Sequence, residues 1–449
     1  MKTLLRSTAI GLLLLGVQIT ACLDVDAVVG EFCDKHPLRC ENGGSDAGPD
    51  GNDILDDGGG PDGGDAGQDG GDAGQDGGDA GQDAGPDGGL PDDEREPPGW
   101  KSVTSMTVRR TGHTATLLED GRVLVVGGTS TVGTSGGGLT NTTELYNVSS
   151  NSWSPGERLA TARMDHTATW LGKGKVLVVG GIGPTGSALA SAEIYDVGAN
   201  KWTTVSPMPY GGRAGHAAVL LPSGKVLVAG GGISADDGLR TAELYDPVSD
   251  SWTRAGNLNV RRNMLTLTLL DGGNALAIGG FNINRTEATA EVYDSNAPDG
   301  GRWRVSQEMD CGRYGHAATL LPSGGVLVTG TYDKSWDLPE KVLPYVDLFE
   351  PDGTSWMLQE DMKEARFLHT ATALPSGEVL VTGGYSAPYA SPLASAEILR
   401  LDGGWEPIAA PMSSARAAHT ATWLKSGSVL IIGGTDGGVV LNTAERYVP

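Results

Sequence analysis

Arg213-Ala214-Gly215-His216 opens the stretch that decides the fold. An apolar run, Ala217 to Leu221, leads to a turn at Pro222-Ser223-Gly224, and a second run covers Lys225 to Ala229. Gly230-Gly231 ends that run where the backbone must turn tightly. Ala242-Glu243-Leu244-Tyr245 then reads as a third strand, Asp246 to Asp250 as a turn, and Trp252 as the mark of a fourth strand. The second run is almost wholly apolar, so it is expected to be buried on both faces.

The same skeleton recurs seven times. Its arginines are Arg110, Arg163, Arg213, Arg262, Arg313, Arg366 and Arg416, separated by 53, 50, 49, 51, 53 and 50 residues. From each arginine to the first glycine of the pair is 17 residues in every copy, whereas the distance from that glycine to the repeat acid ranges from 12 to 17. Constant spacing marks paired strands and variable spacing marks loops. A period near fifty, with four short strands per copy, predicts an all-β fold: a seven-bladed propeller in which each copy stacks on the next. The seventh copy ends at Pro449 without its tryptophan, while Trp100 stands 10 residues before Arg110, the spacing of the other tryptophans. The segment around Trp100 is therefore expected to supply the last blade's fourth strand and close the ring.

The run His166-Thr167-Ala168-Thr169, Gly174 to Gly181, Ala192-Glu193-Ile194-Tyr195-Asp196 and Trp202 resembles the kelch repeat. The resemblance covers Trp100 to Pro449. It is specific for the fold and weakly specific for function, because kelch propellers serve mostly as binding modules and occasionally as enzymes. The family includes the copper enzyme galactose oxidase, and that likeness would imply two Tyr and two His around copper, with one Tyr crosslinked to a Cys. Here the propeller has one cysteine, Cys311, expected to be a partly buried thiol, and its histidines are all taken by the repeat. No cofactor and no metal are expected.

Outside the repeats the chain divides into three further segments. Residues 1–21 read as an export signal: Lys2 and Arg6, a short apolar run Ile10 to Ile19, then Ile19-Thr20-Ala21-Cys22. The ending resembles the lipobox of bacterial lipoproteins, which implies a lipid on Cys22. The run is too short to span a membrane as a helix. Residues 22–40 hold Cys33 and Cys40, candidates for a small disulfide after export; with His36 they fall short of a four-ligand zinc site. Residues 41–98 contain 18 acidic residues and one basic residue, Arg95, so this tract carries most of the net charge of −24. Its three copies of Gly-Gly-Asp-Ala-Gly-Gln-Asp have no large apolar residue to offset ordering entropy, and a disordered, extended stalk is expected, with no ordered calcium repeat. Residues 99–449 form the propeller. The body lacks a basic footprint, which excludes nucleic acid as a partner.

Two sets of residues are candidates for function. Six histidines, His113, His166, His216, His316, His369 and His419, recur one per copy, with Leu265 in the seventh place; a structural part in each blade fits that substitution better than a metal ring. The arginines are expected near one mouth of the central channel. Each either pairs with its repeat acid or offers a cation to an acidic peptide or anionic glycan. The loops after the double glycine in copies four to six carry Phe281, Tyr332, Trp336, Tyr385 and Tyr389, and copy five breaks the pair with Thr331. Local breaches of a repeat are where function is grafted. Together with Arg262, Arg313 and Arg366, these aromatics form the expected ligand-binding set.

The expectation is a monomeric, lipid-anchored binding module of a bacterial cell envelope. It would recognise an envelope protein or a polysaccharide and touch membrane only through the anchor. The alternative is a carbohydrate-active enzyme, of oxidase, epimerase or glycosidase type, on the same face.

Overall fold

The computed structural model describes residues 96–449 except 133–137, 235–236, 284, 298–300, 335–339 and 351–354. The expected export signal, Cys22, Cys33, Cys40, the acidic tract up to residue 95 and Trp336 lie outside the described residues. Within them the chain forms seven antiparallel sheets, each running outward from a first, innermost strand to a fourth. Blade one is Thr114–Leu117, Val123–Val126, Thr143–Asn147 and Ser152–Gly156. The first strands of consecutive blades touch around a ring that closes where Thr420–Trp423 meets Thr114–Leu117.

Closure follows the expected route. Gly99–Val103 pairs antiparallel with Ala444–Val448 as the fourth strand of blade seven, with Trp100 opposite Tyr447. Their ring centroids lie 5.1 Å apart, matching the Tyr146–Trp153 pair at 5.0 Å in blade one. The indole of each repeat tryptophan also reaches back one blade. Trp100 Nε1 donates to Ala410 O at 2.7 Å, Trp252 to Ser206 O at 2.7 Å and Trp405 to Glu360 O at 2.8 Å.

Packing explains why the second strands are almost wholly apolar. Side chains alternate across a strand, and here both faces meet another blade. Leu124 and Val126 pack with Val176 and Val178 of blade two, while Val123 and Val125 pack with Leu430 and Ile432 of blade seven. The core is thus a set of layers between blades.

Blades three to five differ above this framework. In blades three and four the fourth strands run as Ser251–Arg262 and Arg302–Arg313, directly into the next repeat arginine. In blade five the second and third strands lengthen to Val326–Asp333 and Lys341–Phe349. The cause in blade five is Thr331. The second glycine of other pairs has φ near +90°, as in Gly384 at 93°, and a Cβ there would come within 2.7 Å of Phe367 O. Threonine does not take that turn, so the strand continues, with Thr331 opposite Leu343.

Candidate binding face

All seven repeat arginines are fully buried. Each Nη1 donates to the first glycine's carbonyl in its own blade, from Arg110 to Gly127 O at 2.7 Å to Arg416 to Gly433 O at 2.9 Å. Each Nη2 pairs with the repeat acid: Glu144, Glu193, Glu243, Glu291, Asp347, Glu397 or Glu445. The acid in turn accepts backbone N–H groups from the chain entering the blade, as Glu397 does from Lys363 at 2.7 Å. Arg262, Arg313 and Arg366 therefore do not form part of a binding surface, contrary to the functional reading of their spacing. Their charge is consumed by the carboxylate whose position repeats with theirs.

The histidines stitch blades together. Nε2 of His113, His166, His216, His316 and His419 bonds the hydroxyl of Thr420, Thr114, Thr167, Thr266 and Thr370, in each case on the preceding blade. Blade five has Ala317 where that threonine would stand, and His369 bonds Thr329 instead at 2.8 Å. Blade three has Ala217 at the same place, and the next blade answers with Leu265, packed against it. The expected part within one blade is thus a link between two. Burial, together with the neighbouring guanidinium, pushes His113, His216 and His316 down to about 3, so these imidazoles stay neutral.

The surface above this framework is built where each crossing between blades bridges the loop after the double glycine. One residue follows the arginine, and its partner follows the glycines. Phe367 bridges Tyr385, Asn263 bridges Phe281, and Tyr332 N–H donates to Tyr314 O at 2.9 Å. These positions join into a ladder across blades four to six. Phe281–Tyr314 centroids are 5.7 Å apart, Tyr314–Tyr332 5.9 Å, Tyr332–Phe367 5.0 Å and Phe367–Tyr385 5.3 Å. All five rings are half-buried. The sequence reading found Phe281, Tyr332 and Tyr385 and missed Tyr314 and Phe367. Tyr389 stands apart from the ladder at 97% exposure, with φ +61°.

Polar groups fix the ladder's edge. Burial, together with the hydrogen bond that the Tyr332 hydroxyl donates to Glu340, raises the phenol's pKa. Glu340 is held by Lys334 at 3.3 Å, and that ammonium lies 6.0 Å from the Phe281 centroid. Thr286 Oγ1 donates to the buried Asp333 at 2.6 Å, which ties the hairpins of blades four and five together. Beside Phe281 the blade-four loop exposes Ile283, and the corresponding loops of blades one, three and seven expose Val132, Ile233 and Val439.

At the centre of this face, the second residue after each arginine has a left-handed backbone: Gly112, Asp165, Gly215, Met264, Gly315, Leu368 and Ala418, with φ from 50° to 63°. Backbone bonds link neighbours around the channel mouth, as Asp165 N to Gly112 O at 2.9 Å and Ala418 N to Leu368 O at 2.9 Å. Asp165 is the one acid among these seven. Its Oδ1 lies over Gly112, where a Cβ would come within 2.7 Å. Burial pushes the Asp165 carboxyl up to about 6, and its charge reaches the Tyr314 hydroxyl, whose pKa it helps to raise.

Comparison with known proteins agrees with this architecture. Residues 191–443 match the family model described as the Attractin/LZTR1 beta-propeller, and residues 172–209 match the kelch motif. The F-box/kelch-repeat protein At1g67480 of Arabidopsis thaliana is 34% identical over 94 residues, 20% of this chain and 24% of that protein. The chain thus spans about a quarter of that relative's length. Among solved structures, a novel fungal alcohol oxidase of the AA5 family, in complex with copper, has a TM-score of 0.64 at 19% identity, covering 78% of this chain and 76% of its own. The structure of YjhT has a TM-score of 0.53 at 14% identity, covering 68% and 99%. At such identities the likeness is one of fold.

The donors present do not fit copper. The six described histidines are committed between blades. Cys311, expected to be partly buried, is fully buried, and burial raises its thiol's pKa. No group of three or more His, Cys, Asp or Glu suited to a metal occurs among the described residues.

Proposed function

The chain belongs to the Attractin/LZTR1 β-propeller family, and from that premise we propose that it is an exported binding module, held at the cell envelope by a lipid on Cys22, which takes a protein segment on the face spanning blades four to six. The observation that carries this reading is the ladder of five half-buried rings across blades four to six. Aromatic side chains in partly desolvated settings supply much of the energy of protein interfaces. A sugar-binding floor needs open ring faces flanked by polar groups. Here the rings pack on one another and leave no ring face fully open, which favours a protein segment over a glycan.

Two experiments test the parts separately. Cys22→Ala should release the protein from the membrane fraction or leave it unprocessed, and a mature, unlipidated N-terminus elsewhere contradicts the anchor. Glycan arrays and random dodecapeptide display, probed with the full chain and with Phe367→Ala, test the ligand class. Peptide enrichment lost in Phe367→Ala supports the reading. Glycan binding lost in the same variant replaces protein with carbohydrate.

A further inference from the structure

Asp165 is out of keeping with its surroundings. The other six residues at the channel mouth are glycine, alanine, leucine or methionine, and Met264 and Leu368 make the mouth apolar. A carboxylate in such a place loses solvation, and proteins compensate it with a cation or hydrogen-bond donors. The buried arginines of this propeller each have their acid. Asp165 has none: no hydrogen bond or ion pair to its side chain occurs among the described residues, and no cation there steadies its charge. The fold also makes room for it, since Gly112 leaves space for Oδ1 where any side chain would collide.

Tyr314 directly precedes Gly315, the blade-five member of the ring of left-handed residues that holds Asp165, so the ladder reaches the rim of the same mouth. An unpaired anion on a rim that a row of aromatic rings also reaches is an arrangement that receives an organic cation. The carboxylate supplies the charge, and the ring faces attract the cation and pack its alkyl stem.

We propose that the channel mouth is a specificity pocket for a basic side chain, lysine or arginine, of the bound protein segment, with Asp165 pairing the cation and Tyr314 flanking it while neighbouring apolar residues of the segment lie along the ladder. This rests on the binding-face reading above. It adds what that reading leaves open, which is the charge of the partner and the register of the segment over the face.

The test uses the full chain and peptides selected on it from a random dodecapeptide display library. Asp165→Asn is the appropriate variant, because asparagine tolerates a left-handed backbone as aspartate does and keeps its shape. Equal melting behaviour below pH 4, where aspartate is also neutral, verifies its fold. Peptides enriched on the native protein should share a lysine or arginine beside apolar residues. A selected peptide should lose about tenfold in affinity on Asp165→Asn, and about as much when its basic residue becomes methionine. The two changes together should cost little more than either alone. Enriched peptides that lack a basic residue, or that bind Asp165→Asn as well as the native protein, overturn the inference and leave the binding-face reading standing. Peptides indifferent to Phe367→Ala, or no enrichment at all, overturn that reading itself.

Discussion

Blade seven places Ala417 against Thr435 at the bridge that caps the blade; blade six, at the same bridge, places Phe367 against Tyr385. Beneath the bridge the two blades share one plan. Arg416 holds Gly433 O and Glu445, and Arg366 holds Gly383 O and Glu397. Their second strands are fully buried in both. The framework is a property of the repeat, and the face is a property of the copy. An invariant scaffold leaves the bridge positions free to vary, because a side chain there meets no layer of the core.

The comparison is broken most severely at ring closure, which concerns every blade alike. Removing residues 99–103 strips blade seven of its outer strand and of the Trp100 indole bond, and should abolish cooperative unfolding of the whole propeller. Removing residues 43–89, a tract with almost nothing apolar to bury, should leave the melting temperature nearly unchanged. Equal melting losses would contradict the assignment.

The shared framework predicts equal penalties in unlike blades. Glu193→Ala and Glu445→Ala each strand a buried guanidinium, and each should cost about 3–5 kcal/mol in denaturant unfolding. A penalty confined to one blade would show that the staple is not common to the repeat.

A smaller effect sharpens the picture of the histidine links. Leu265→His sets an imidazole beside Ala217, where no hydroxyl receives it, and should cost about 1–3 kcal/mol. Adding Ala217→Thr should recover about 1 kcal/mol in a double-mutant cycle, because it rebuilds the pair found at other blade junctions. Additive effects would contradict the link.

The smallest expected effect concerns pH. Asp165 has an ordinary value of 3.8 and is pushed to about 6 in the propeller. The folded state therefore holds its proton more tightly between those values, and this stability is lost as pH rises from about 4 through about 6. Asp165→Asn should remove that slope and raise stability at pH 7 by about 1–2 kcal/mol, an amount reduced for the side chain's partial exposure. Parallel stability profiles for the two proteins would show that the carboxylate is not desolvated.

The fold was legible because its signals are periodic. The constant interval from arginine to glycine, the doubled glycine and the displaced Trp100 each have one structural solution. The arginines were harder to read, since spacing places a backbone and leaves the direction of a long side chain open. Their recurrence with an acid was the decisive signal, as an acid kept in every copy implies a partner kept in every copy. Phe281, Tyr332 and Tyr385 stood out in loops that depart from the pattern. Tyr314 and Phe367 were hidden beside Arg313 and Arg366, in what looks like framework. Comparing the residue after each arginine exposes them: Thr111, Met164, Ala214, Asn263 and Ala417 elsewhere, with aromatics only in blades five and six. Asp165 gave no sequence signal beyond being the one acid in its column. Its meaning came from the closed ring, which sets Asp165 of blade two on the same rim as Gly315, the residue after Tyr314, in blade five.

The most direct measurement of the central claim is the affinity of one display-selected peptide for four proteins: the native chain, Phe367→Ala, Tyr385→Ala and Thr435→Ala. The first two substitutions remove rings from the ladder, and the third alters the equivalent bridge in blade seven. If blades four to six form the binding face, the ladder variants lose about 1–3 kcal/mol of binding and the blade-seven variant loses almost none. Equal losses across all three, or none in the ladder variants, would contradict it.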